Sequence, residues 1–179
     1  MIRLPVAALV LLLAAPAPAL ELAGTAQSVA DGDTLTLRDE AGVQHRIRLS
    51  GIDDAERGQP FSQVSRRSLD TLTRGRRLTA TCPKSDRFGR KVCTVGARDE
   101  DLGLEQIARG LAWHFKRYQA KPAPERVAYA AAEEQARLER RGLWSLPNPQ
   151  APWDWRFERW GSSDRRGRCS HATASASAH

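Results

Sequence analysis

Arg46-Ile47-Arg48-Leu49-Ser50-Gly51-Ile52-Asp53-Asp54-Ala55-Glu56-Arg57 closes an alternating run that begins at Val43. Successive strand side chains point to opposite faces, so Val43, His45, Ile47 and Leu49 share one side and Gln44, Arg46 and Arg48 the other. Arg48 is therefore a polar-face residue at a strand end, shortly before Asp53, Asp54 and Glu56. That mixture suits phosphate chemistry. A guanidinium grips phosphate through two parallel hydrogen bonds, one carboxylate takes a proton from water, and another holds a metal ion. A surface ion-pair network would use the same residues, so this stretch alone leaves both readings open.

Working outward toward the N-terminus, Val29-Ala30-Asp31-Gly32-Asp33-Thr34-Leu35 sets two carboxylates two apart at a tight turn entering a strand, both pointing to one side. Hard cations such as Ca²⁺ want clustered oxygen ligands of this kind. Asp-Gly is equally a common hairpin turn, and the spacing is not that of an EF-hand loop. Toward the C-terminus, Asp86-Arg87-Phe88-Gly89-Arg90 adds an aromatic flanked by arginines on a further turn. Pairing residues symmetrically about Arg87 and Phe88 sets Cys82 opposite Cys93. Opposed strand residues have Cα atoms about 4.5 to 5.5 Å apart, within reach of a disulfide. In an exported chain this pairing leaves Cys169 as a free thiol; two buried thiols at 82 and 93 are the alternative.

The period of two runs from Leu22 to Cys93 and breaks at Asp31-Gly32, at Glu40-Ala41-Gly42 and from Asp86 to Gly89, the marks of strands and turns. Helical spacing occurs at Phe61, Val64, Ser68 and Leu72, and again at Leu104, Ile107, Ala108 and Leu111, with Gly75 and Gly110 as stops. The longest helix is expected from near Pro124 to near Gly142. Strands, a helix, more strands and then helices imply an α+β domain, a small antiparallel sheet capped on one side by helices. No repeat that would mark a solenoid or a propeller is found.

At the N-terminus, Arg3, the apolar run Pro5 to Ala15 and the small residues Ala17-Pro18-Ala19 read as a secretory signal peptide over 1–19, cut after Ala19. The run is shorter than the roughly 20 apolar residues that span a bilayer. Removing 19 of the 179 residues leaves 160, enough for one domain with a sizeable core. Lys and Arg number 28 against 21 Asp and Glu, a net charge of +7 that becomes +6 when Arg3 is lost. Such a balance favours a polyanionic partner without establishing one. Beyond Pro147, Trp153, Trp155 and Trp160 lie among arginines in an extension, 147–160, and 161–179 reads as a disordered tail. The expectation is a secreted or periplasmic monomer with no membrane anchor after cleavage and no stable protein partner.

Four motifs in this order resemble the thermonuclease family, the staphylococcal nuclease-like domain, over about 22–146. They are Asp31-Gly32-Asp33-Thr34; Arg46-x-Arg48-Leu-x-Gly-Ile-Asp53-x-x-Glu56, followed by Gly58-Gln59-Pro60-Phe61; Asp86-Arg87-Phe88-Gly89-Arg90; and Gly142-Leu143-Trp144. The resemblance implies a five-stranded OB-type antiparallel β-barrel with three α-helices. It also implies an endonuclease that hydrolyses phosphodiester bonds of DNA and RNA with Ca²⁺ as cofactor and leaves 3′-phosphates. Position by position, it makes Asp33 and Asp53 carboxylate metal ligands and Asp54 a ligand through its backbone carbonyl. Arg48 and Arg90 match the phosphate-gripping arginines, Glu56 the general base, and Phe88 and Tyr118 the lining of the nucleotide pocket. For Phe88 and Tyr118, core packing is the other reading.

Two positions depart from the family pattern. Ala55 stands where proline is usual, and Asp54 adds a carboxylate where threonine or alanine is common; a looser loop and an altered choice of metal follow as expectations. A metal-free ribonuclease using paired histidines fits His45, His114, His171 and His179 poorly, since two lie in the tail and His45 is on an apolar face. An exported nucleic-acid-binding barrel that has lost cleavage is the alternative, opposed by the competent residue at every matched catalytic position.

Overall fold

The computed structural model describes residues 19–117 and 123–159. Residues 1–18 of the signal peptide read over 1–19, Tyr118, Cys169 and the tail 161–179 lie outside the described residues.

The first strands, β1 (Leu20–Val29), β2 (Thr34–Asp39) and β3 (Gln44–Leu49), form an antiparallel meander. A short β4 (Ile52–Asp54) leads to helix α1 (Ser62–Thr73), then to the hairpin β5 (Leu78–Ser85) and β6 (Lys91–Ala97). β5 pairs with β1, and β6 returns to β3, where Ile47 and Leu49 face Lys91 and Cys93. Strands β1, β2, β3, β5 and β6 thereby close into a five-stranded barrel. The closing β3–β6 pair is parallel, so the barrel is mixed rather than wholly antiparallel. The reason is topological: an odd number of strands cannot alternate direction all the way round a closed ring.

The alternation read from the sequence is the barrel's inside and outside. Leu35, Leu37, Ile47, Leu49, Leu78, Ala80 and Val95 are buried. Leu69 and Leu72 of α1 and Leu102 and Ile107 of α2 (Leu102–Ala108) plug the ends of the same core. Val43 is the exception on its face, half exposed where the strand begins, and His45 instead bonds Asp39 at 2.7 Å.

Cys82 and Cys93 are joined by a disulfide, with Cα atoms 4.1 Å apart. The hairpin register shifts between Thr81 and Lys84, so pairing near the turn is offset by one residue from pairing beyond it. Pro83 sits in that shift. A proline has no N–H to give a ladder, and a bulge is one of the few places inside a sheet that tolerates it.

The short β7 (Glu100–Asp101) precedes α2, whose first N–H groups, on Gly103 and Leu104, are capped by Asp101 at 2.8 and 3.2 Å. Beyond α2, β8 (Ala112–His114) pairs with β4, and α3 (Ala123–Leu138) packs on α2, where Tyr129 donates its hydroxyl proton to Asp101 at 2.8 Å. A single turn of 3₁₀-helix covers Gly142–Ser145, and a fourth α-helix, α4, runs over 152–159. This helix was not anticipated among the three; it lies in the Trp/Arg-rich extension. A second, smaller core of Ala55, Trp113, Ala136, Leu143, Trp144 and Ala151, with Trp153 against it, ties the extension to the β4 side of the molecule. Among the described residues no helix is long and apolar enough to cross a membrane.

Candidate active site

Four local decisions bring the site together. Gly32 lets the Asp31–Asp33 turn press against the protein: a Cβ there would meet Ser65 Oγ at 1.7 Å and Asp54 Oδ2 at 2.7 Å. The Gly32 N–H donates to Asp54 Oδ2 at 2.7 Å, and buried Gln106 donates to the Gly32 carbonyl at 2.9 Å. The turn is thus held from front and back. Arg48 ends β3 opposite Thr34 of β2, beside the same turn. The β4–β8 ladder fixes Asp53 and Asp54, and a bond from the Glu56 N–H to Gln59 Oε1 at 2.9 Å folds the chain after β4.

Arg48 forms the hinge of the charge pattern. Its Nη1 lies 2.6 Å from Asp33 Oδ2 and its Nη2 donates to Asp53 Oδ1 at 2.7 Å. The Asp33 contact is an ion pair without hydrogen-bond alignment, so this buried oxygen accepts no hydrogen bond. Asp33 Oδ1 accepts from the Thr34 hydroxyl at 2.7 Å. Burial pushes the Asp33 carboxyl up to about 7; Arg48 pulls against the rise, and the Asp31 and Asp53 charges add to it. Asp54 is raised well above the usual carboxylate range, first by burial and then by Asp33 and Asp31. The Arg48 guanidinium loses solvation by burial, yet Asp33 and Asp53 hold its affinity for the proton above the ordinary arginine value.

One oxygen each from Asp31, Asp33 and Asp54 lies within 4.8 Å of the others. Two buried carboxylates, Asp33 and Asp54, that burial makes reluctant to stay charged beside Asp31, one with an oxygen lacking a hydrogen bond, fit a hard divalent cation, which would relieve both costs. The site residues inferred from the sequence divide here. Asp33 and Asp54 belong to this carboxylate cluster, Asp54 bringing its side chain. Asp53 faces the arginines instead: Arg48 on one side and Arg156 of α4 on the other, with Arg156 Nη2 2.7 Å from Asp53 Oδ2.

Arg90 is folded on its own turn, with Nε donating to Asp86 Oδ2 at 2.7 Å, and reaches the Thr34 hydroxyl at 3.4 Å. Thr34 therefore links Arg90 to Asp33 and through it to Arg48. At Asp86, desolvation works upward, but bonds from the Arg90 side chain and from the Arg90 and Phe88 N–H groups outweigh it and lower the carboxyl. Phe88 is 66% exposed, with the guanidinium groups of Arg87 and Arg90 4.7 and 5.7 Å from its ring centre. It is not a core residue but an exposed ring offering a face for stacking. Glu56 pairs with Arg156 Nη1. Ala55 is buried in the second core, which packs the loop where a proline was missed.

The positions matched to the family gave no metal role to Asp31, although the pair of carboxylates two apart pointed to it. Sequence reasoning missed Gln59 and Gln106, whose amides act through backbone groups distant in sequence. It also missed Arg156, whose signal was its place three residues after Trp153.

The family model described as Staphylococcal nuclease homologue matches residues 46–146, a span running from the Arg48 strand past α3. The chain belongs to the staphylococcal nuclease family. It is 34% identical to a protein named micrococcal nuclease from Shigella flexneri, over 164 residues that cover 87% of this chain and 91% of that one. It is also 34% identical to the Escherichia coli protein named ParB over 176 residues, 93% of this chain and 94% of that protein, a span that includes the extension 147–160. The rice protein named probable staphylococcal-like nuclease CAN2 is 36% identical over 113 residues, 63% of this chain. The chain spans only 29% of the length of that plant relative. Within the family, the mixed barrel and the four-helix complement described above are this chain's form of the fold.

Proposed function

We propose that the protein is an exported, Ca²⁺-dependent endonuclease that hydrolyses phosphodiester bonds of DNA and RNA. The observation that carries this reading is the Asp31–Asp33–Asp54 oxygen cluster, with Asp33 and Asp54 buried, set against the Arg48–Asp53 pair and Glu56, in a chain of net charge +7. Asp33 and Asp54, with Asp31, would hold the cation, while Asp53, paired with Arg48 and Arg156, would orient those two arginines. When bound, Ca²⁺ supplies charge stabilisation to a phosphoryl oxygen.

The protein's own groups do the rest. Glu56 accepts a proton from the attacking water, whose oxygen bonds to phosphorus. Arg48 and Arg90 stabilise the negative charge that builds on the phosphoryl oxygens in the transition state. The bond from phosphorus to the 5′ oxygen breaks, that oxygen takes a proton from solvent, Glu56 returns its own proton to solvent, and a 3′-phosphate remains. Phe88, flanked by cations, offers a stacking face to a base; Tyr118 is the second pocket residue in this reading. Names of relatives such as micrococcal nuclease support the activity, and the Cys82–Cys93 disulfide supports an oxidising compartment, secreted or periplasmic. The mature chain acts as a monomer. Incubation of the purified mature chain with DNA and with RNA, in Ca²⁺ or in chelator, tests the reading by end-group analysis. Ca²⁺-dependent fragments ending in 3′-phosphate are expected; undiminished cleavage in chelator, or none in Ca²⁺, would overturn it.

A further inference from the structure

Helix α4 lies beyond the family match, which ends at Leu146, yet it reaches the centre of the site. Residues 153, 156 and 159 are spaced by three and so share one helix face. Trp153 packs edge-on against Trp113 with ring centres 5.7 Å apart, and Arg159 donates to the Arg57 carbonyl at 3.3 Å. The chain leading into the helix is pinned by Gln59, whose amide donates to the Gln150 carbonyl at 2.7 Å while its oxygen holds the Glu56 N–H. Between these anchors Arg156 spreads its two terminal nitrogens over two carboxylates. Nη2 donates to Asp53 Oδ2 at 2.7 Å, and Nη1 donates to Glu56 Oε1. Among the described residues, Arg156 is the one side chain bonded to the Glu56 carboxylate.

A general base works only when its oxygen is held within hydrogen-bond reach of the water it deprotonates. A glutamate about one-third exposed, on a chain with three rotatable bonds, is not held there by packing. The planar fork of a guanidinium, itself fixed through Asp53 and through the docked helix, supplies that restraint. We propose that Arg156 is a positioning residue for the hydrolysis, holding Glu56 through Oε1 so that Oε2 meets the attacking water. The extension is in this way part of the active site and not an appendage to the barrel. The inference rests on the nuclease reading given above.

The test is a double-mutant cycle of Arg156→Met and Glu56→Gln, with Arg156→Lys alongside. Single-turnover cleavage in Ca²⁺ is measured, together with binding of a non-cleavable oligonucleotide analogue and urea unfolding in chelator. Loss of a residue that orients an active-site ligand or base costs on the order of 10- to 100-fold in activity. Arg156→Met is expected to slow cleavage by that factor, to change analogue binding much less, and to add no further loss in the Glu56→Gln background. Arg156→Lys should recover part of the rate. In metal-free protein the unfolding cycle should show coupling between the two side chains, a readout that does not depend on activity. Equal losses in both backgrounds, uncoupled unfolding, or a variant as fast as wild type or faster would each overturn the proposal. A wild-type chain inert toward DNA and RNA would instead overturn the nuclease reading itself, and the positioning role with it.

Discussion

Among single residues, the site sorts its carboxylates by what surrounds them. Asp33 and Asp54 are buried beside Asp31 and resist ionisation, while Arg48 bridges Asp33 to Asp53 and Arg156 bridges Asp53 to Glu56. The sign of the pH dependence follows from linkage. Both buried carboxyls have folded values above their unfolded ones, so their contribution favours folding below about pH 4 and is lost as pH rises, for Asp33 through about 7. Chelated protein should therefore lose stability over that window, measured by urea unfolding. Added Ca²⁺ should restore more stability at pH 8 than at pH 5, where protons compete for the same oxygens. A pH-independent effect of Ca²⁺ would place its binding elsewhere. The two catalytic roles proposed for Glu56 and Arg48 separate by substitution. Glu56→Gln should keep binding a non-cleavable analogue while cleavage falls at least ~10²-fold and the acidic limb of the pH–rate profile disappears. Arg48→Lys should also slow cleavage but keep that limb, because an ammonium cannot give phosphate two parallel hydrogen bonds. Full activity in Glu56→Gln would remove it as the base.

At the scale of elements, the β5–β6 hairpin shows how a covalent link and a register fault coexist. The Cys82–Cys93 bridge closes a short loop, and Pro83 takes the bulge beside it. Reduction should lower stability by about 2–3 kcal/mol, the range for short loops, with the loss read by urea unfolding under reducing and non-reducing conditions. Unreduced, denatured protein should expose one thiol per chain, from Cys169, and three would rule the bridge out. Symmetric counting about Arg87 and Phe88 found this pair because the bulge at Pro83 offsets the register by one: the turn itself is centred on Phe88, and the counted register holds only beyond the bulge. The period of two made the inward face of β3 legible from Ile47 and Leu49. The parallel closure of β3 on β6 was not legible, because it joins strands separated by a helix and a hairpin, and no local pattern in either strand reports its distant neighbour.

For the whole molecule, the barrel and a second core built around tryptophans share the site between them. Local motifs pointed to the candidate residues of the barrel's half, Arg48, Asp33, Asp54 and Glu56, since each lies in a turn or near a strand end with a distinctive spacing. The other half was hidden, because a Trp-rich stretch after Pro147 carries no periodic signal long enough to predict a helix, and its partners Trp113 and Ala55 are far away in sequence. A chain ending at Leu146 would lose Ala151 and Trp153 from this core and should be destabilised by about 2–4 kcal/mol, the worth of one or two buried side chains, measured by urea unfolding. Unchanged stability would mean that the extension does not dock. The claim on which all of this converges is that the buried carboxylates bind a cation that cleavage requires. The most direct measurement is the DNA cleavage rate as a function of Ca²⁺ concentration for wild type and Asp33→Ala, with thermal unfolding of both recorded in chelator. Wild type should rise from no activity to a plateau, while Asp33→Ala stays inactive at every concentration and still unfolds in one cooperative transition. Near-normal cleavage by Asp33→Ala at saturating Ca²⁺ would contradict the metal site, and loss of its cooperative transition would show that Asp33 serves the fold instead.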